Sequence, residues 1–246
     1  MSKTLVIARK DVEEAFRSRS TYLYLVVMAL VSLPYFDGLR NITTALVKQG
    51  ASPVELEMAS QSFLNTAVST LPLGLAMIVC SVFSAYAVVL DKAKRRLESL
   101  MATPLSLRQI WLGKSLAVAL PGVVLSLAVL AVAVCALNVW VILPIVGAFV
   151  MPGTPSLATA LIVVPVLVFL VVSLVSLVQL VTTNPRMASL IFTALFFGIY
   201  FSTITEVTRG WDFGVIYMAT AAVLLAITLW AMRFLTKERV ILTSKG

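Results

Sequence analysis

The chain has 246 residues, 60% of them hydrophobic and only 12% charged, where soluble domains carry roughly 25% charged residues. The apolar residues fall in runs long enough to cross a bilayer, which takes about 20 residues. This defines an all-α integral membrane protein, and the net charge of +8 then speaks of membrane sidedness, not of nucleic acid. With no His in the sequence, imidazole acid–base chemistry and the usual His-containing metal sites are excluded.

The first 20 residues predict an amphipathic helix. Leu5, Ala8, Val12, Ala15 and Phe16 share one stripe, while Lys3, Arg9, Lys10, Arg17 and Arg19 occupy other faces. Such a helix suits the interface plane, on anionic lipid headgroups. Asp11, Glu13 and Glu14 lie within it and count against a signal peptide. A first span is predicted over residues 21–36, followed by a polar excursion. Within that excursion Ser52, Pro53 and Glu55 read as a capping box with proline at the first helical position, which starts a short helix leading into a second span over 64–90.

From Lys114 to Arg186 no charged residue intervenes, a gap of 71 residues. That is too long for one helix and fits two, a third span over 110–137 and a fourth over 156–181. Pro144, Gly147, Pro152, Gly153 and Pro155 punctuate the stretch between them. Residues 138–155 are too short to cross alone and read as an interfacial or re-entrant segment on the outer side. A fifth span is predicted over 188–204 and a sixth over 215–232, with Trp211 as an aromatic belt residue before it. Cys80 and Cys135 both lie inside apolar runs and read as packing residues.

Six spans put both termini on one side. Five Lys or Arg in the first segment, six between Lys92 and Lys114, Arg186, and four in the tail share that side. Only Arg40, Lys48 and Arg209 face the other. The excess of cations assigns the termini, and the loop 91–106, to the cytoplasm. The whole chain reads as one transmembrane domain, multi-pass in the cell membrane.

That loop, "DKAKRRLESLMATPLS", carries the most specific pattern. Pro104 disfavours helix at Thr103, and Ser106 with Gln109 forms a second capping box opening the third span. A helix therefore ends near Ala102, with Ala93, Leu97, Leu100 and Met101 on one stripe. It either snorkels its cations to lipid phosphates or docks into a soluble partner. Gly113-Lys114-Ser115 mimics the end of a phosphate-binding loop. The pattern also needs Gly at 108, where the residue is Arg, and an apolar run follows at once.

The stretch resembles the first cytoplasmic loop of ABC type-2 exporter permeases. The matching residues are Asp91-Lys92, Glu98, Thr103-Pro104-Leu105-Ser106, Gly113-Lys114 and Pro121, and the opening residues 1–20 are similar to that family's N-terminal elbow helix. Asp91 departs from the commoner Glu but keeps the charge, and the loop before the sixth span is short for the family. The resemblance implies that 91–106 holds a coupling helix seated in a cleft of a separate ATP-binding-cassette subunit. Lys92, Arg95, Leu97, Glu98, Leu100, Met101 and Pro104 are the expected contacts. It implies a dimer with a second copy or a paralogue, with ATP and Mg in the partner subunit and no cofactor in this chain. It further implies that the second and fifth spans line a substrate path. On the fifth, Phe192, Phe196 and Tyr200 share a face. On the second, Thr66, Ser69 and Thr70 form a polar outer end near Pro72 and Gly74.

The function expected is therefore the permease subunit of an ABC exporter working by alternating access, without a catalytic site of its own. A secondary transporter or channel is the rival, but such proteins place ionisable residues mid-membrane and the six predicted spans hold none there. A lipid-modifying enzyme would want clustered carboxylates near one interface. A membrane anchor that passes force to an extracytoplasmic partner remains a further alternative.

Overall fold

The computed structural model describes residues 3–17, 19–84, 106–182, 194–195, 197–199 and 212–234. Among the described residues every regular element is helical. Helix α1 spans Lys3–Phe16. Three residues of its predicted stripe face protein: Ala8 is buried, Val12 and Phe16 are half-buried, and the Phe16 ring meets Phe83 edge-on at 5.5 Å. The opposite face carries an exposed Arg9–Glu13 pair at 2.8 Å.

Helix α2 runs unbroken over Arg19–Lys48. The predicted first span is its first half, and the polar excursion continues as helix instead of leaving it. Gly38 is taken up within the helix, and the Thr43 and Thr44 hydroxyls donate back to carbonyls one turn earlier. At Gly50 the backbone turns left-handed, with φ 76°. Gly50 N–H then donates to Val47 O and Ala51 N–H to Leu46 O, which closes the helix in a Schellman motif.

Helix α3, Pro53–Ser84, starts at the predicted capping box. Ser52 N–H donates to Glu55 Oε2 at 2.7 Å and Glu55 N–H to Ser52 Oγ at 3.4 Å. The expected short leading helix is continuous with the second span. At about 1.5 Å per residue, α2 and α3 are each longer than the ~30 Å hydrocarbon core.

Helix α4, Leu107–Val146, begins at the other predicted box, with Ser106 N–H on Gln109 Oε1 at 3.0 Å. It does not end at Leu137. A π-helical turn over Asn138–Ile142 carries it on to Gly147, where φ 80° stops it. The expected break thus falls at 147–153, and residues 138–146 belong to the helix. Helix α5, Thr154–Val181, has a second π turn over Thr159–Val163. Each π turn ends two residues before a proline, Pro144 and Pro165. Proline lacks the N–H and crowds the carbonyl four residues earlier, and the wider π turn accommodates both without ending the helix. Helix α6 spans Phe213–Ala231.

The α5 helix is the centre of the bundle, with Leu167, Val168, Val171, Val172 and Val175 fully enclosed. It packs on α4 and α6, and α3 packs on α4. At the α3–α4 crossing Gly122 lies so close to Cys80 Sγ that a side chain there would overlap it. Outward faces stay apolar, including Leu30, Val124, Val132, Leu161, Val223 and Trp230, as a lipid-facing surface requires. Four stretches among the described residues are long and apolar enough to cross a membrane: Pro53–Ser81, Leu107–Val146, Thr154–Val181 and Phe213–Ala231. They correspond to the second, third, fourth and sixth predicted spans. The fifth lies outside the described residues except for helical residues at 194–195 and 197–199.

Candidate functional site

The end of α3 and the start of α4 flank the loop that carries the family-like pattern, and here the bundle is fastened by three polar clasps. The first joins α1 to α4. Lys114 Nζ lies 3.0 Å from Asp11 Oδ2, with the lysine side chain 0% and the aspartate 10% exposed. Lys114 sits two turns into α4, where its neighbours Ile110, Trp111, Gly113 and Ser115 are buried too. A lysine so placed needs an opposite charge, because an isolated ammonium in an apolar interior costs far more than the fold can offset. Asp11 supplies it from the edge of the α1 stripe.

The second clasp joins α4 to α5: Trp111 Nε1–H donates to Ser173 O at 2.8 Å. The third joins α5 to α3, where Gln179 Nε2 donates to Ser84 Oγ at 2.6 Å, at the last residue of α3. Gln179 Oε1 and the Ser176 hydroxyl are buried without a hydrogen-bond partner among the described residues. Hydrogen bonds in apolar surroundings are strong and directional. The second and third tie α4 to α3 through α5, and the first adds α1 to α4.

The clasps also decide the nature of Gly113-Lys114-Ser115. The triplet is helical, its lysine faces Asp11, and Ser115 Oγ donates to Trp111 O at 2.9 Å. A phosphate cradle requires a loop with free amides, and these amides lie within α4.

The expected coupling contacts Lys92, Arg95, Leu97, Glu98, Leu100, Met101 and Pro104 lie outside the described residues, as do Phe192, Phe196 and Tyr200. The three remaining path candidates are on α3. Thr66 is exposed and donates to Ser62 O. Ser69 is buried and donates to Asn65 O. Thr70 donates to Thr66 O and meets Tyr35 OH of α2 at 3.2 Å. Thr66 and Thr70 therefore lie on the α2 side, whereas Ser69 lines a cavity of about 360 Å³ between α3, α5 and α6. Above it, Asn65 Oδ1 accepts from Gly153 N–H at 2.6 Å, tying α3 to the start of α5.

Sequence reasoning did not assign Asp11, Trp111 or Gln179, and took Lys114 for a motif position only. One signal was available. A lysine inside an apolar run calls for a carboxylate, and Asp11 borders the amphipathic stripe of the first segment.

These features define the class: a polytopic helical membrane protein whose first helix is clamped to its bundle beside a charged loop, with no metal-ligand cluster among the described residues. The family model for the ABC-2 family transporter protein matches residues 5–207, from α1 through α5 and beyond. The chain belongs to that family, whose membrane subunits work with ATP-binding-cassette partners. Neither a curated protein nor a solved structure matches the chain.

Proposed function

We propose that the chain is the membrane-spanning permease subunit of an ABC exporter. Separate ATP-binding subunits dock on a coupling helix within 91–106, and their closure drives alternating access in a dimer with a second copy or a paralogue. The topology is six spans with an elbow helix and both termini cytoplasmic. ATP and Mg belong to the partner.

The observation that carries the reading is the buried Asp11–Lys114 pair. A force applied to the loop enters α3 and α4 at their ends. The pair makes α1 move with α4, and the Trp111 and Gln179 bonds pass the same displacement to α5. A protein that only had to be stable would gain as much from apolar residues at these sites, since buried ion pairs are no better than well-packed hydrophobic ones. A pair kept there, beside the loop, suits an element that must move as one body.

The test is ATP turnover by the purified chain with and without its ATP-binding subunit, and transport by the reconstituted complex. Turnover is expected only in the complex. Turnover by the chain alone would refute the reading, and turnover by the complex without movement of any solute would favour a force-transmitting anchor.

A further inference from the structure

The cavity of about 360 Å³ has the build of a ligand site. Ser69 of α3, residues between Pro155 and Val163 on one side of α5 (among them Ser156 and Thr159), and Asp212, Gly214 and Met218 at the start of α6 line it. Two local features shape it. The π turn over Thr159–Val163 widens α5 on the cavity side, and such turns recur at functional sites. Gly214 lets the start of α6 close over Thr159, where a Cβ would stand 2.9 Å from Thr159 Oγ1.

The polar groups on the wall centre on one carboxylate. Asp212 occupies the N-cap position of α6, yet its side chain caps no amide of the helix, the task aspartate ordinarily performs there. Among the described residues it forms no salt bridge. The Ser69 and Thr159 hydroxyls have spent their protons on Asn65 O at 2.8 Å and Pro155 O at 2.9 Å. Each has lone pairs left and no proton to give. A carboxylate, two acceptor oxygens and the Ser156 hydroxyl therefore meet apolar groups such as Val163, Phe213 and Met218. The Asp212 carboxylate on such a wall suits a cation that carries N–H donors on a compact apolar body.

We propose that this cavity binds a primary ammonium joined to an apolar chain, either a free lipophilic amine or the headgroup of an ethanolamine lipid. The binding claim stands on the cavity alone. Its place on the extracytoplasmic side rests on the six-span topology proposed above.

The test uses the full chain with Cys135→Ala and Ser156→Cys, since Ser156 lines the cavity and Cys80 is buried. In nanodiscs of phosphatidylglycerol, the rate of maleimide modification is measured with octylamine, octanol or octanoate added. Octylamine is expected to slow it at least fivefold and the other two to leave it unchanged. Asp212→Asn is expected to abolish that protection while the rate without ligand stays the same. A second set of nanodiscs contains phosphatidylethanolamine or phosphatidylcholine and no octylamine. Protection by phosphatidylethanolamine alone assigns the site to the lipid headgroup, and protection by octylamine alone to a free amine. Equal protection by octanol, protection that survives Asp212→Asn, or no protection in either set overturns the proposal. Modification of intact cells by an impermeant maleimide tests the sidedness separately, and its failure would count against the topology while leaving the nanodisc result to decide the site.

Discussion

Breaking the Asp11–Lys114 pair from one side should cost far more than removing it whole. At the observed 3.0 Å, two unit charges attract by about 5 kcal/mol in an effective dielectric of 20. Taking both ions out of water costs several kcal/mol each, so the intact pair is near break-even. Remove one charge and the attraction goes while the desolvation of the other stays, a loss of about 3–5 kcal/mol. The two sides are not equivalent. Lys114→Met leaves Asp11, which at 10% exposure reaches some water. Asp11→Asn keeps the shape but removes the Asp11 charge from beside a lysine with no exposure at all. Asp11→Asn should therefore be the worse single change, toward 5 kcal/mol, with Lys114→Met toward 3. The double variant should return to within about 2 kcal/mol of the parent, since the remaining amide and thioether carry no charge to desolvate. Equilibrium unfolding in mixed micelles, followed by helical circular dichroism, gives all four corners of the cycle. Additivity of the two single losses to within about 0.5 kcal/mol, the scatter of independent sites, would refute the argument.

The remaining predictions address the helix crossing, the loop and the path. Gly122→Val should prevent the α3–α4 approach at Cys80 and lose about 3 kcal/mol or more by overpacking, seen as a fall in unfolding midpoint, whereas Gly74→Ala, with open space around it, should leave the midpoint unchanged. In the complex with its ATP-binding subunit, Glu98→Ala should cut transport and alter basal ATP turnover while the subunit still co-purifies, and Arg95→Ala should do less. The reverse ranking would mean that lipid electrostatics hold the loop. Phe196→Ala and Tyr200→Ala should change substrate-stimulated ATP turnover with the complex intact, and wild-type behaviour of both would make that face packing.

The helices were legible wherever local chemistry decides them. Both capping boxes, at Ser52–Glu55 and Ser106–Gln109, form as their spacing demands, because a cap is settled within four residues. Helix ends governed by proline were less legible. Residues 138–155 hold three prolines and read as a break, yet α4 continues to Val146. The sequence shows Pro144 but not the π turn that relieves it, which begins at Asn138, a residue bonded into the loop that follows α4. Its Nδ2 donates to Val134 O at 3.0 Å and its Oδ1 accepts from Val150 N–H at 2.9 Å, and that second partner belongs to the returning loop.

The same distinction separates the parts of the candidate site. Loop positions 91–106 are patterned locally, so the family likeness lies on the surface of the sequence. The clasps join residues far apart in the chain, Asp11 to Lys114, Trp111 to Ser173, Ser84 to Gln179, and none has a local signature. A positive charge two turns inside an apolar helix is nevertheless a local fact with a non-local consequence. It demands a carboxylate, and a chain with 11 acidic residues in all offers few. Asp11 alone among the acids of the first segment lies between stripe positions Ala8 and Val12, so the helix face that buries Ala8 carries Asp11 inward with it. The ion pair thus follows from two amphipathic patterns meeting. In the exporter proposed above, the pair is what would carry the first helix along with α4, where a helix bound only to lipid would lag behind.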